Sequence, residues 1–113
     1  MDDDQPVVVL ITCGDRTEAE RVAMALLEAR LAACVNMVTG MTSLFWWEGK
    51  IDRAEEVLLI VKTTAALVSQ LVETVRKHHS YQVFGTVALP ILDGNPDYLR
   101  WVQAETRSAG GTE

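Results

Sequence analysis

Apolar residues crowd the stretch Pro6-Val7-Val8-Val9-Leu10-Ile11-Thr12-Cys13, a β-branched run closed by Gly14 that predicts a strand buried on both faces. Thr17-Glu18-Ala19-Glu20 has the form of a capping box, so a helix is expected to start there. Ala19, Val22, Ala23 and Leu26 then recur on one helical stripe, with Glu18, Arg21 and Glu28 mostly off it, and the helix packs by that stripe onto a sheet. The pattern turns to strand over residues 32–38, breaks at Gly40 and resumes over 41–47, which predicts one long bent strand. Glu48-Gly49-Lys50 is a turn signal. From Ile51 the chain returns through a charged patch at 52–56 into Val57-Leu58-Leu59-Ile60-Val61-Lys62, completing a hairpin. Thr64 is placed to cap a second helix, with Val68, Leu71, Val72 and Val75 on its inner face and Glu73 and Lys77 set to pair outside. A fourth strand over 86–91 ends at Asp93-Gly94. Asn95-Pro96 reads as an N-cap with proline at the first helical position, opening a last helix that carries Tyr98, Leu99, Trp101 and Val102.

The order β-α-β-β-α-β plus a terminal helix predicts an α+β, ferredoxin-like split β-α-β arrangement, an antiparallel sheet with both long helices on one face. Its second face then needs a cover. Neighbouring strand residues point to opposite faces, so Trp46 and Trp47 cannot both enter one core. A partner chain is the natural cover; a half-exposed strand residue or shielding by the last helix are the plainer alternatives. Tyr98 and Trp101, large and amphipathic, suit an interface as well as they suit their own sheet.

With 113 residues, nearly half of them hydrophobic, the chain is sized for a single domain, expected over 6–105, between an acidic tail at 1–5 and a small polar one at 106–113 that are both expected to be disordered. The formal charge of −6 repels phosphate backbones and anionic surfaces, which argues against nucleic acid and membrane as partners. No basic leader followed by an apolar run is present, and no stretch is long enough to span a bilayer, so a cytoplasmic location is expected. Two cysteines, Cys13 and Cys34, make free thiols the expectation.

The stretch VRKHHSYQ at 75–82 holds both histidines where the second helical pattern gives out. His79 continues the buried stripe four residues after Val75, so an inward imidazole is expected, as a ligand or as a cap at a helix C-terminus. Thiolates at Cys13 or Cys34 suit soft or borderline ions, but no CxxC or HExxH spacing supports them. The chain lacks a nucleophile elbow, a phosphate loop and any residue to orient a Cys-His pair, so no enzyme is predicted.

Five stretches in order, ARLAACVN (29–36), TSLFWWEGKI (42–51), EVLLIVKTT (56–64), HHSYQV (78–83) and ALPILDGNPDYLRWV (88–102), resemble the CutA divalent-cation tolerance proteins across nearly the whole chain. The resemblance implies a PII-like homotrimer in which long hairpins join sheets between subunits. It also implies binding of copper or another divalent metal, no organic cofactor and no known reaction. Carried over by position, it implies metal ligation by His79, Cys34 and Tyr81, and interface roles for the aromatic hairpin. Where the family usually reads Pro-Tyr-Glu/Gln-x-Pro-Glu after the histidine, this chain has Ser80-Tyr81-Gln82-Val83-Phe84-Gly85. Both prolines and the acidic residue are gone, so a weak metal site at the mouth of an inter-subunit cleft is expected. The competing expectation is a metal-independent trimeric sensor or adaptor that binds small molecules or proteins in such clefts.

Overall fold

In the computed structural model, which describes residues 2–107, the chain runs β1 (Pro6–Cys13), α1 (Arg16–Glu28), β2 (Cys34–Trp47), β3 (Lys50–Thr64), a 3-10 turn (Ala65–Leu67), α2 (Val68–His78), β4 (Thr86–Pro90) and α3 (Pro96–Glu105). The strands form one antiparallel sheet in the order β2-β3-β1-β4. Through α1 the chain crosses over from β1 to β2, and the hairpin return places β3 in the gap between them.

Burial alternates along β1. Val7, Val9, Ile11 and Cys13 are buried while Val8, Leu10 and Thr12 are only partly covered, so the strand is not equally buried on both faces as its apolar run predicts. The deep face joins Leu59 and Val61 of β3 to Val22 and Leu26 of α1 and to Leu71 and Val75 of α2. Burial of an aliphatic side chain of this kind stabilises by about 1.5–3 kcal/mol. Cys34 points away from that face, since its neighbour Val35 packs against the core. Tyr98 of α3 bonds to Cys34, α3 packs on β3 and β1, and Val102 is fully buried outside the core cluster. The last helix therefore covers part of the second face.

Two helix starts differ from expectation. The cap of α1 is Asp15, whose carboxylate accepts the Glu18 amide at 2.8 Å, two residues before the expected Thr17. Aspartate with an extended backbone satisfies an orphan donor as well as threonine does, and the end of β1 sets where the helix can begin. Thr64 ends β3 without a capping bond, and the 3-10 turn separates it from α2. Asn95 caps α3 as expected, accepting the Asp97 amide at 3.0 Å.

The hairpin is longer than its apolar segments, because residues 52–56 pair with 41–45 instead of serving as a lead-in. Trp47 pairs with Lys50 across Glu48-Gly49, whose φ angles of 50° and 80° make a two-residue type I′ turn that matches strand twist. Gly40, at φ 77°, sits where the β2–β3 register shifts between Val38 and Met41. The hairpin gives the molecule a long axis of 46 Å against 29 and 23 Å. Trp46 and Trp47 are 73% and 53% exposed on it.

Asp3 and Gln5, in the expected acidic tail, accept the Ala66 and Ala65 amides, and the Gln5 side chain reaches the Ile91 carbonyl at 2.8 Å. From residue 108 onward the expected C-terminal tail lies outside the described residues.

Candidate functional site

The end of β1, the first turn of α1 and the end of α2 converge at one end of the sheet. Because Asp15 takes the Glu18 amide, the Glu18 carboxylate is free to turn inward, where it is almost fully buried. One oxygen accepts the Gly14 amide at 3.1 Å and the other the Ser80 amide at 2.8 Å. Arg21 lies 3.9 Å from the second. Burial raises the Glu18 pKa, but the bonds from Ser80 and Gly14 and the neighbouring His79 outweigh it and hold the carboxyl below its ordinary range.

The His79 backbone amide closes α2 on the Val75 carbonyl at 2.9 Å, and its ring is wholly buried. Nε2 lies 2.6 Å from the Thr12 carbonyl, which can only accept, so Nε2 carries the proton. Nδ1 accepts the Tyr81 amide at 3.0 Å and sits 3.5 Å from Glu18. The ring lies 5.0 Å from both the Tyr81 and Phe84 rings, stacked on the latter. Tyr81 donates its hydroxyl to buried Glu56 at 3.1 Å, and burial together with that carboxylate raises its pKa. Gly14 leaves room for this tyrosine, since a Cβ there would come within 3.1 Å of Oη.

Cys13 completes the group. Its sulfur, a Glu18 oxygen and a His79 nitrogen lie within 4.8 Å of one another, and among the described residues this is the one set of three such donors close enough to share an ion. Burial, then the charges of Glu18 and Asp15, push the thiol pKa up to about 12. Sulfur, carboxylate oxygen and imidazole nitrogen are the donors taken by zinc and copper, so the residue types fit a borderline or soft divalent ion.

Of the ligands expected from sequence, His79 and Tyr81 come together and Cys34 stands apart. Cys34 lies at the start of β2 opposite Lys62, with its sulfur 3.8 Å from Asn36 and bonded to Tyr98. His78 turns out of the group, its carbonyl bonded to Arg21. Glu18, read as mostly off the buried stripe, is buried. The signal was its spacing, four residues before Val22, which places it on that stripe. Gly85 gives its carbonyl to the Thr12 amide, and a Cβ there would meet the Thr12 hydroxyl at 3.4 Å. Beside it a cleft of about 870 Å³ runs between the hairpin and the 81–85 loop, with Trp46, Trp47, Glu56 and Tyr81 among its walls.

Residues 7–105 match the sequence profile described as CutA1 divalent ion tolerance protein. Protein CutA of Mus musculus is 44% identical over 102 residues, covering 90% of this chain and 58% of the mouse protein, so the chain spans less than two thirds of that relative's length. The divalent-cation tolerance protein CutA of Thermus thermophilus is 48% identical over 99 residues, covering 88% of this chain and 96% of its own. The crystal structure of CutA1 from Oryza sativa superposes with a TM-score of 0.89 at 42% identity, over 91% of this chain and 94% of that one.

Proposed function

This chain belongs to the CutA1 divalent ion tolerance protein family, and we propose that it serves cation tolerance by binding copper or another divalent ion weakly, as a ferredoxin-like homotrimer in the cytoplasm. The observation that carries this reading is the convergence of Cys13, Glu18 and His79 within 4.8 Å. When bound, the ion would supply no reaction, only occupancy, in keeping with relatives named for tolerance and not for a chemical step. His79 keeps the ligand role implied by resemblance, with Nδ1 as its donor atom. Cys13 takes the place expected of Cys34, whose thiol is engaged with Tyr98 on the second face of the sheet. Tyr81 acts beside the site, holding the imidazole with its amide and the Glu56 carboxylate with its hydroxyl. Weak affinity follows because Cys13 must give up a proton held with a pKa of about 12. The trimer reading is supported by the exposed Trp46, Trp47, Tyr98 and Trp101, and the cytoplasmic one by two free thiols. No helix of the described residues is long and apolar enough to cross a membrane.

One observation favours a second reading, a metal-independent sensor or adaptor similar to the PII signalling proteins. Both ring nitrogens of His79 and both oxygens of Glu18 already have hydrogen-bond partners, as a purely structural latch requires. Isothermal titration with Zn(II) and Cu(II) separates the two. The native chain should bind, Cys13→Ala and His79→Ala should each lose at least about tenfold in affinity, and Cys34→Ala should match the native protein. Absence of binding by the native chain at millimolar metal leaves the sensor reading.

A further inference from the structure

The Cys13–Glu18–His79 group is not a set of idle donors. Glu18 holds the Ser80 and Gly14 amides, and the Ser80 side chain bonds to the same carboxylate. His79 Nδ1 holds the Tyr81 amide. A neutral imidazole has one ring nitrogen with a free lone pair, and Nε2 already bears the proton given to Thr12, so Nδ1 cannot keep the Tyr81 amide and coordinate an ion together. The Glu18 oxygen 3.5 Å from Nδ1 is the one that accepts the Gly14 amide, while the Ser80 amide is held on the other oxygen, so the direct competition falls on the Tyr81 amide. Residues 80–85 have no regular structure, and Ser80, Tyr81, Gln82 and Val83 are exposed. Their attachments include these amides, the Tyr81 hydroxyl on Glu56, Phe84 packed on the core and on His79 with the Arg76 guanidinium over its ring, and the Gly85 carbonyl on Thr12. Tyr81, Gln82, Val83 and Gly85 also line the cleft whose far wall is Trp46 and Trp47.

We infer that ion ligation at His79 Nδ1 and anchoring of the 80–85 loop through the Tyr81 amide exclude one another, so that a bound divalent ion frees that amide and reshapes the cleft beside the aromatic hairpin. This rests on the metal reading above and gives that site an output, a surface that differs between the ion-free and ion-bound protein. On ligation Cys13 loses its thiol proton to solvent, Nδ1 gives its lone pair to the ion and Nε2 keeps its proton; no electron is transferred.

The test uses Zn(II) as probe on the intact, assembled protein, with amide hydrogen exchange followed residue by residue and affinity by titration. Saturating Zn(II) should speed exchange at Tyr81 by at least about tenfold while Val9 and Leu59 in the core stay protected. Binding that depends on Cys13 but leaves exchange at Tyr81 unchanged overturns the coupling and spares the metal reading. If the protein does not bind Zn(II), the metal reading falls and the coupling with it.

Discussion

Glu18 ties three segments together through one carboxylate: the turn after β1, the helix that bears it and the loop after α2. Its folded pKa lies below the unfolded value, despite burial, because the bonds it accepts require the charged form. The stability it contributes is thus fully present above the unfolded pKa of about 4.5 and is lost as pH falls through the lower folded value. The urea midpoint of metal-free protein should drop between roughly pH 6 and pH 3, and Glu18→Gln should flatten part of that drop. At neutral pH the same variant should cost about 1–3 kcal/mol, since Gln cannot accept at both oxygens and leaves a buried amide short of a partner. An unchanged pH profile in Glu18→Gln would deny the carboxylate this role. The two thiols separate just as sharply. Cys13 is buried and its pKa is pushed to about 12, whereas Cys34 is partly exposed. A thiol reagent at mild alkaline pH should label one cysteine per native chain, Cys34, and the second only in denaturant. Rapid labelling of both would contradict the burial of Cys13.

Among the elements, the hairpin is the one most plainly encoded. Glu48-Gly49 announces a turn, and the left-handed angles at both residues explain why glycine stands second. Gly49→Ala should lower stability by about 1 kcal/mol, while Glu48→Asn should raise it by about 0.5 kcal/mol, asparagine being at ease at positive φ. Urea unfolding at constant m value measures both, and a neutral Gly49→Ala would mean the turn is made differently. The stripe of α2 and the Asn95-Pro96 start of α3 were equally legible, because periodicity and capping act within a few residues. Where two local solutions compete, local rules fail: Asp15 and Thr17 can each cap α1, and the length of β1 decides between them. The site was half legible. His79 lies on a readable stripe, but choosing Cys13 over Cys34 requires knowing which face of each strand is deep. Cys13 shares the parity of Val9 and Ile11, and Cys34 opposes that of Val35. That parity is written in the sequence, yet it acquires meaning only when the helices choose a face.

At the scale of the molecule, a 46 Å body ends in an arm whose Leu44, Trp46, Trp47 and Ile51 lie open, and Tyr98 and Trp101 of α3 are also exposed at 38% and 42%. Each tryptophan left in water forgoes burial of roughly 150–250 Å². β2 and β4 form the two outer edges of the sheet, with backbone groups free to pair with another chain. An arm that projects from one subunit and finds its cover on the body of another makes a heterologous contact, since the two surfaces differ. Such a contact is satisfied everywhere only when it closes into a ring, which sets the proposed trimer apart from a dimer built on one self-complementary patch. Sedimentation at micromolar concentration should therefore give three chain masses with no dimer on dilution, and a stable dimer or a monodisperse monomer would sink the proposal. Consecutive strand residues face opposite ways, so in the proposed ring Trp46 and Trp47 would meet different surroundings. Trp46→Ala and Trp47→Ala should both promote dissociation, by up to about 3–5 kcal/mol per site where the ring is fully buried, but to unequal extents. A double variant that remains a trimer at the same dilution would place the interface elsewhere than the arm.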